Sequence, residues 1–172
     1  MDPEPARVVV LVGPKGCGKT TLGRTLERLP AIRFLEVEII ARAVLEARGG
    51  VIDVDYARAA FRAIAGEVSR IDRAHRVIVL ETTGAADETA AFLDALREGH
   101  ALHLVRVRAR AETCAQRIAA RDPSQQIDVA RALIDEMHRR SEALQLPWAL
   151  DLVNDPPLSP AAIAAAFAPL LS

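Results

Sequence analysis

Residues 7–29 read RVVVLVGPKGCGKTTLGRTLERL. The run from Val8 to Val12 is apolar throughout and mostly β-branched, the composition of a strand buried on both faces of a parallel sheet. Gly13-Pro14-Lys15-Gly16-Cys17-Gly18-Lys19-Thr20 then matches G-x-x-x-x-G-K-[ST], a phosphate-binding loop, at every fixed position. Leu22, Leu26 and Leu29 follow at helical spacing, so the motif has a strand before it and a helix after it. Each residue type has a chemical reason. Gly13, Gly16 and Gly18 let the backbone curve tightly around an anion and aim its N–H groups inward. The helix N-terminus adds unpaired N–H groups and a favourable dipole. Lys19 is expected on the β- and γ-phosphates and the Thr20 hydroxyl on Mg²⁺, with Thr21 closing the nucleotide-contacting stretch. Pro14, Lys15 and Cys17 fill the variable positions, Cys17 as a small tolerated residue and not a nucleophile.

The chain has 172 residues, 51% of them hydrophobic, and a net charge of −1. That size suits one domain with a substantial core, and the reading is a single domain over residues 1–172. The balanced charge offers no whole-molecule argument for nucleic acid or an anionic membrane, and leaves room only for local basic sites. Cys17 and Cys114 are too few for a disulfide framework or a zinc site, and His75, His100, His103 and His138 are scattered. The opening MDPEPAR is unlike a signal peptide and no apolar stretch is long enough to span a bilayer, so a cytoplasmic protein is expected. Aromatic residues make up 3% of the chain, which argues against a site built mainly from stacked rings.

Beyond the loop, Ala31 to Glu38 (AIRFLEVE) reads as a second strand with Glu36 and Glu38 at its carboxyl end. Ligands of open α/β sheets bind beyond such strand ends. Residues two apart share one side of an extended segment. The two carboxylates are therefore expected to face a phosphate–Mg²⁺ complex and an acceptor group together. A helical insertion, about residues 39–75, follows. Its first helix carries Ile39, Ile40, Val44 and Leu45 and stops at Gly49-Gly50. Its second, capped by Asp53 or Asp55, runs from Tyr56 to about Ile71. The insertion is where acceptor specificity is expected, with Arg58, Arg62 and Arg70 as the basic candidates.

Arg76 to Glu81 (RVIVLE) is the third strand and ends in an acid. Glu81 is a candidate for the Mg²⁺ shell or the acceptor, and the Thr82-Thr83-Gly84 turn lets backbone approach a ligand. Asp87 is the expected cap of a helix bearing Phe92, Leu93 and Leu96. Ala101 to Val107 is the fourth strand. The following helix carries Arg117 and Arg121, four apart on one face. The polar stretch RDPSQQIDV, about 121–129, is expected to form a short lid whose rooting arginines reach nucleotide phosphates or the base. Leu133, Ile134, Met137 and Leu144 mark another helix, Ala149 to Val153 the fifth strand, and Asn154-Asp155-Pro156 the turn beyond it. Ser159 caps the last helix with Pro160 at its first position.

Taken in this order, the strand, loop, paired acids, insertion, acid-tipped strand and arginine-rooted lid resemble the shikimate kinase and nucleoside-monophosphate kinase superfamily. The resemblance covers nearly the whole chain at the level of architecture and is specific only in Gly13 to Thr20. FLEVE resembles the F-x-D-x-D segment of shikimate kinases, which implies Glu36 near Mg²⁺ and Glu38 near the acceptor hydroxyl. Arg117 to Asp122 resembles the start of their lid. The Asn154-Asp155-Pro156 turn corresponds to the segment that borders adenine. The implied fold is a three-layer α/β/α sandwich around a five-stranded parallel sheet of order 2-3-1-4-5. Three departures set the acceptor apart from shikimate: the longer acids, Thr82-Thr83-Gly84 in place of a triple glycine, and Arg121-Asp122-Pro123-Ser124 in the lid.

The expected activity is transfer of the ATP γ-phosphate, with Mg²⁺, to a hydroxyl of a small-molecule acceptor. Lys19, Arg117 and Arg121 would stabilise the transferring group, and Glu38, or else Glu36 or Glu81, would accept the proton. Two competing readings are a nucleotide or polynucleotide 5′-kinase, with Arg58, Arg62 and Arg70 on an acceptor phosphate, and a nucleotide-binding switch. Glu81 to Gly84 has the spacing of a D-x-x-G switch, but no N-K-x-D guanine motif follows.

Overall fold

A computed structural model of the chain describes residues 6–71, 75–122 and 130–171. Its centre is β1 (Arg7–Val12), whose side chains from Val8 to Val12 are all buried. Alternation along the strand sends Val8, Val10 and Val12 into one core and Val9 and Leu11 into the other. A strand apolar on both faces can only sit inside a sheet covered on both sides. The sheet holds β2 (Ile32–Leu35), β3 (Val77–Thr82), β4 (Ala101–Arg108) and β5 (Trp148–Val153) in the order β2-β3-β1-β4-β5. Every pairing is parallel, with Val12 opposite Thr82 on one side and Arg106 on the other. This is the expected order, and it is the α/β fold of P-loop nucleotide-binding proteins.

One layer contains α1 (Lys19–Leu26) and α7 (Pro160–Leu171), where Leu22, Leu26, Ile163 and Phe167 pack on Val9, Phe34 and Val79. The other contains α3 (Val54–Ile71) and α4 (Thr89–Gly99), where Ile64, Val68, Phe92 and Leu96 pack on Val8, Ile78 and Leu80. Phe61 and Phe92 stack between these two helices with ring centroids 4.5 Å apart. The helices α2 (Val37–Ala47), α5 (Ala111–Ala119) and α6 (Arg131–Ala143) complete the chain order.

Two local expectations change and one open alternative is decided. The second strand stops at Leu35 and α2 begins at Val37, so the chain turns helical before Glu38. Val37 packs against the second core and Glu38 sits in the first helical turn, where an acid is favoured by the helix dipole. Glu36 and Glu38 therefore do not share one extended face. Asp53, not Asp55, caps α3, its Oδ1 accepting the Tyr56 N–H at 2.7 Å. Asp87 does not cap α4; it is exposed and pairs with Arg140 at 3.0 Å. Ser159 does cap α7, accepting the Ala162 N–H at 3.2 Å. Of the expected lid, only Arg121 and Asp122 are among the described residues.

Candidate active site

The phosphate loop bridges β1 and α1, and its geometry depends on glycine. Gly18 caps α1 with φ 100°, and a Cβ there would lie 2.2 Å from the Asn154 amide nitrogen. Gly16 has φ 85°, and a Cβ would lie 2.5 Å from the Cys114 carbonyl oxygen. Only a residue without a side chain fits either place. Lys19 is 7% exposed and folds back over the loop, donating to the carbonyls of Gly13 at 2.7 Å and Pro14 at 2.9 Å. The Thr20 hydroxyl donates to the Glu81 carboxylate, 3.0 Å from Oε2 and 3.1 Å from Oε1. Glu81 stands near the carboxyl end of β3 and is 8% exposed. Its burial raises its pKa above the ordinary carboxylate range, against the opposing pull of the Lys19 charge and the Thr20 hydrogen bond.

The Thr20–Glu81 pair offers hard oxygen donors at the mouth of the phosphate loop. No group of three or more His, Cys, Asp or Glu among the described residues could hold a metal by itself. A cation here would complete its shell with water and phosphate oxygens, which is how Mg²⁺ is usually held. The residues present therefore fit Mg²⁺ better than a metal that needs a full protein cage.

Behind the loop, Arg117 from α5 donates to the carbonyls of Cys17 at 3.2 Å, Gly16 at 3.4 Å and Asn154 at 3.0 Å. The buried Asn154 amide donates to the Cys17 carbonyl at 2.9 Å, while its oxygen accepts the Leu158 N–H at 3.0 Å. Asn154 thus ties the turn after β5 to the loop. Asp155 faces the start of α5, accepting from Arg110 Nε at 2.7 Å and the Thr113 hydroxyl at 2.8 Å. These partners hold its carboxyl well below the usual range. Neither Asp155 nor Pro156 lines the main crevice. Gly13 and Pro14 border a separate cavity of about 200 Å³ with Arg106 and Arg108. Cys17 is fully buried, and burial pushes the Cys114 thiol up to about 11, so neither is a nucleophile.

The main crevice, about 650 Å³, opens in front of the loop. Its polar end is made by Lys15, Gly18, Lys19, Thr20, Thr21 and Glu81, with Thr82, Thr83, Arg117 and Arg121 beside them. Glu38 enters from α2, 3.9 Å from Lys15 and 3.3 Å from Arg121. Its far end is apolar: Tyr56, Ala60, Phe61 and Ile64 from α3, Ile52 before that helix, and Leu133 and Met137 from α6.

Several expected residues lie off this crevice. Both Glu36 oxygens are held by Arg24, at 3.0 and 2.8 Å, and it is Arg24 that lines the wall. Arg58 is 63% exposed and pairs with Asp55 and Glu88, Arg62 is exposed, and Arg70 pairs with Glu67. The phase of α3 explains this. Tyr56, Ala60 and Ile64 recur every four residues on the inward face, so Arg58 and Arg62 fall about half a turn away. Gly84 is buried against Leu144 and leaves the lining to Thr82 and Thr83. Tyr56, Phe61, Ile64, Arg24, Ile52, Leu133 and Met137 carry no motif and were not singled out as site residues. Tyr56 and Glu38 line the same crevice, and burial, followed by the charge of Glu38, raises the Tyr56 pKa.

A family model described as an AAA domain matches residues 8–144. A shikimate kinase of Salinispora arenicola (strain CNS-205) is 36% identical over 81 residues, and the match spans about half of either protein, 47% of this chain and 48% of the relative. A sugar kinase from Janibacter sp. HTCC2649 superposes with a TM-score of 0.68 at 21% identity, covering 96% of this chain and 95% of its own. The APS kinase of Mycobacterium tuberculosis, solved with AMPPNP and APS, superposes with a TM-score of 0.64 at 16% identity over 98% and 99% of the two chains. With the loop, the strand order and this family match in agreement, the chain belongs to the AAA domain family and has the P-loop kinase fold.

Proposed function

We propose that the chain is an ATP- and Mg²⁺-dependent phosphotransferase acting on a hydroxyl of a small-molecule acceptor. The observation that carries this reading is the Glu38 carboxylate in the crevice that also opens onto Lys19 and the Thr20–Glu81 pair. In this assignment the loop N–H groups and the α1 N-terminus bind the phosphates, and Lys19 exchanges its carbonyl partners for phosphate oxygens. Thr20 and Glu81 hold Mg²⁺, which neutralises charge on the phosphates. Arg117 and Arg121 orient the nucleotide. Glu38 is the base: the acceptor oxygen bonds to the γ-phosphorus, the bond to the β–γ bridging oxygen breaks, ADP departs, and the hydroxyl proton passes to Glu38. Glu36 has no part here because Arg24 holds both its oxygens.

The sugar, APS and shikimate kinases that resemble the chain are named for the same kind of activity, and this supports the reading. Arg58 and Arg62 turn away from the crevice, which counts against a polynucleotide 5′-kinase. A carboxylate facing an open cavity beside the phosphate end favours a kinase over a switch. The test is acceptor-dependent conversion of ATP to ADP across a panel of alcohols, with GTP in parallel. ATP that binds but is never turned over with any alcohol overturns the proposal.

A further inference from the structure

We infer that the acceptor is an uncharged molecule with an apolar body and one reactive hydroxyl, seated on Tyr56, Phe61 and Ile52 with that hydroxyl at Glu38. The inference rests on the kinase reading above and names the substrate class of that site. Three observations carry it.

The first is the lining. Away from the phosphate end, the wall is built from Ala60, Phe61, Ile64, Ile52, Leu133 and Met137. Polar groups of a sugar or sugar acid would be stripped of water there without receiving hydrogen bonds. The threonines nearer the phosphates each accept one backbone hydrogen bond and keep the O–H for another partner. Thr82 Oγ1 accepts the Gly84 N–H at 3.1 Å, and Thr83 Oγ1 accepts the Ala85 N–H at 3.3 Å.

The second observation is the state of the cations. An anionic acceptor needs a positive charge to receive it. Among the described residues, the cations lining the crevice already have protein partners, which an anionic acceptor would have to displace: Lys15 and Arg121 with Glu38, Arg24 with Glu36, and Lys19 and Arg117 with loop carbonyls. Those at the phosphate end are also needed for the nucleotide. No guanidinium of α3 turns inward, since Arg58 and Arg62 lie on its outer face.

The third is where apolar surface remains uncovered. Val51, Ile52 and Val54, in and beside the α2–α3 connection, are 50–56% exposed, and Leu133 on the facing rim is 47% exposed. Ile52 and Leu133 line the same crevice that holds Glu38 and Lys19. Exposed hydrophobic residues scattered singly are unremarkable, but here they gather at the mouth of one cavity that ends in a carboxylate. Among the described residues of the apolar wall, Tyr56 adds a polar handle, with an apolar ring and a hydroxyl in the crevice that holds Glu38. Such a wall selects by shape and apolar contact, with Glu38 as the partner of the reacting hydroxyl.

The experiment uses 2-(2-naphthyl)ethanol as the apolar alcohol, with D-gluconate and sorbitol as polar comparators. Binding is measured by calorimetry on the full chain saturated with a non-hydrolysable ATP analogue and Mg²⁺. The naphthyl alcohol is expected to bind at least about ten-fold more tightly than either polar compound. Ile52→Asp, at a half-exposed position, is expected to weaken the naphthyl alcohol roughly ten-fold while leaving the ATP analogue unchanged. Tighter binding of gluconate or sorbitol, no binding of the naphthyl alcohol, or an Ile52→Asp variant that binds it normally overturns the inference. Phosphoryl transfer from labelled ATP separates the two readings. Transfer to polar alcohols alone sinks the apolar class and keeps the kinase. Tight, Ile52-dependent binding of the naphthyl alcohol without transfer to any alcohol keeps the apolar class and sinks the kinase.

Discussion

The two ends of the crevice are built by opposite means. At the phosphate end, polar groups are buried and partnered: Lys19 on two carbonyls, Thr20 on Glu81, Arg117 and Asn154 on the loop backbone. At the acceptor end, apolar side chains from α3, α6 and the α2–α3 connection stand partly open. The first arrangement holds a fixed geometry for a ligand common to many enzymes. The second fixes little beyond an apolar surface, so it can change its ligand by changing side chains. A scaffold of this kind keeps the reaction and varies the acceptor.

The sharpest break in this comparison is Lys19→Ala. The lysine sits at the phosphate end, where its ammonium donates to the Gly13 and Pro14 carbonyls. Phosphoryl transfer should fall at least about 10²–10³-fold, the loss typical of one transition-state donor. Circular dichroism should show the fold retained. Normal turnover in this variant would remove the phosphate end from the mechanism.

Glu38→Gln probes the junction between the ends. ATP–Mg²⁺ affinity should stay near wild type while kcat falls by about 10²–10⁴, the usual contribution of a general base. An unchanged kcat would move the base to Glu81.

Asn154→Ala tests whether the phosphate end depends on its scaffold. It leaves the Leu158 N–H without its side-chain acceptor, worth about 1–3 kcal/mol when buried, and the Cys17 carbonyl with Arg117 as its remaining donor. The Tm should fall and KM for ATP should rise, with affinity for the acceptor less affected. Equal losses at both ends would mean the crevice behaves as one unit.

The smallest effect concerns Glu81 in the ligand-free protein. Burial raises its pKa in the folded state above the ordinary value of 4.5. For an acid shifted upward, the charged form weakens folding at pH above the folded pKa, and this cost disappears as the pH falls to the unfolded value. Glu81→Gln should therefore raise the Tm at pH 7 by a shift on the order of a few °C, with the gain closing toward pH 4.5. The same variant should weaken Mg²⁺ dependence. A lowered Tm at pH 7 would mean that the Thr20 and Lys19 contacts outweigh the desolvation.

The sequence by itself determined the phosphate end, because that chemistry is local. Val8 to Val12, Gly13 to Thr20 and Leu22 to Leu29 are consecutive, and backbone N–H groups need only the right glycines to converge on an anion. It also marked Glu81, since the end of an apolar strand in a parallel sheet fixes which edge an acid occupies. The strand order followed from the family resemblance, and the sheet agrees with it. Helix phase and helix start were decided only by the tertiary structure. Starting α2 at Val37 sends Glu36 to Arg24 and Glu38 into the crevice, although a strand over both would have kept them together. Packing Ile64 and Val68 on the sheet turns Tyr56 inward and Arg58 outward. The acceptor wall joins Ile52, Phe61 and Met137, residues far apart in the chain and bound by no spacing rule. Its character is set by which helix faces the core leaves over, a quantity that exists only once the layers have packed.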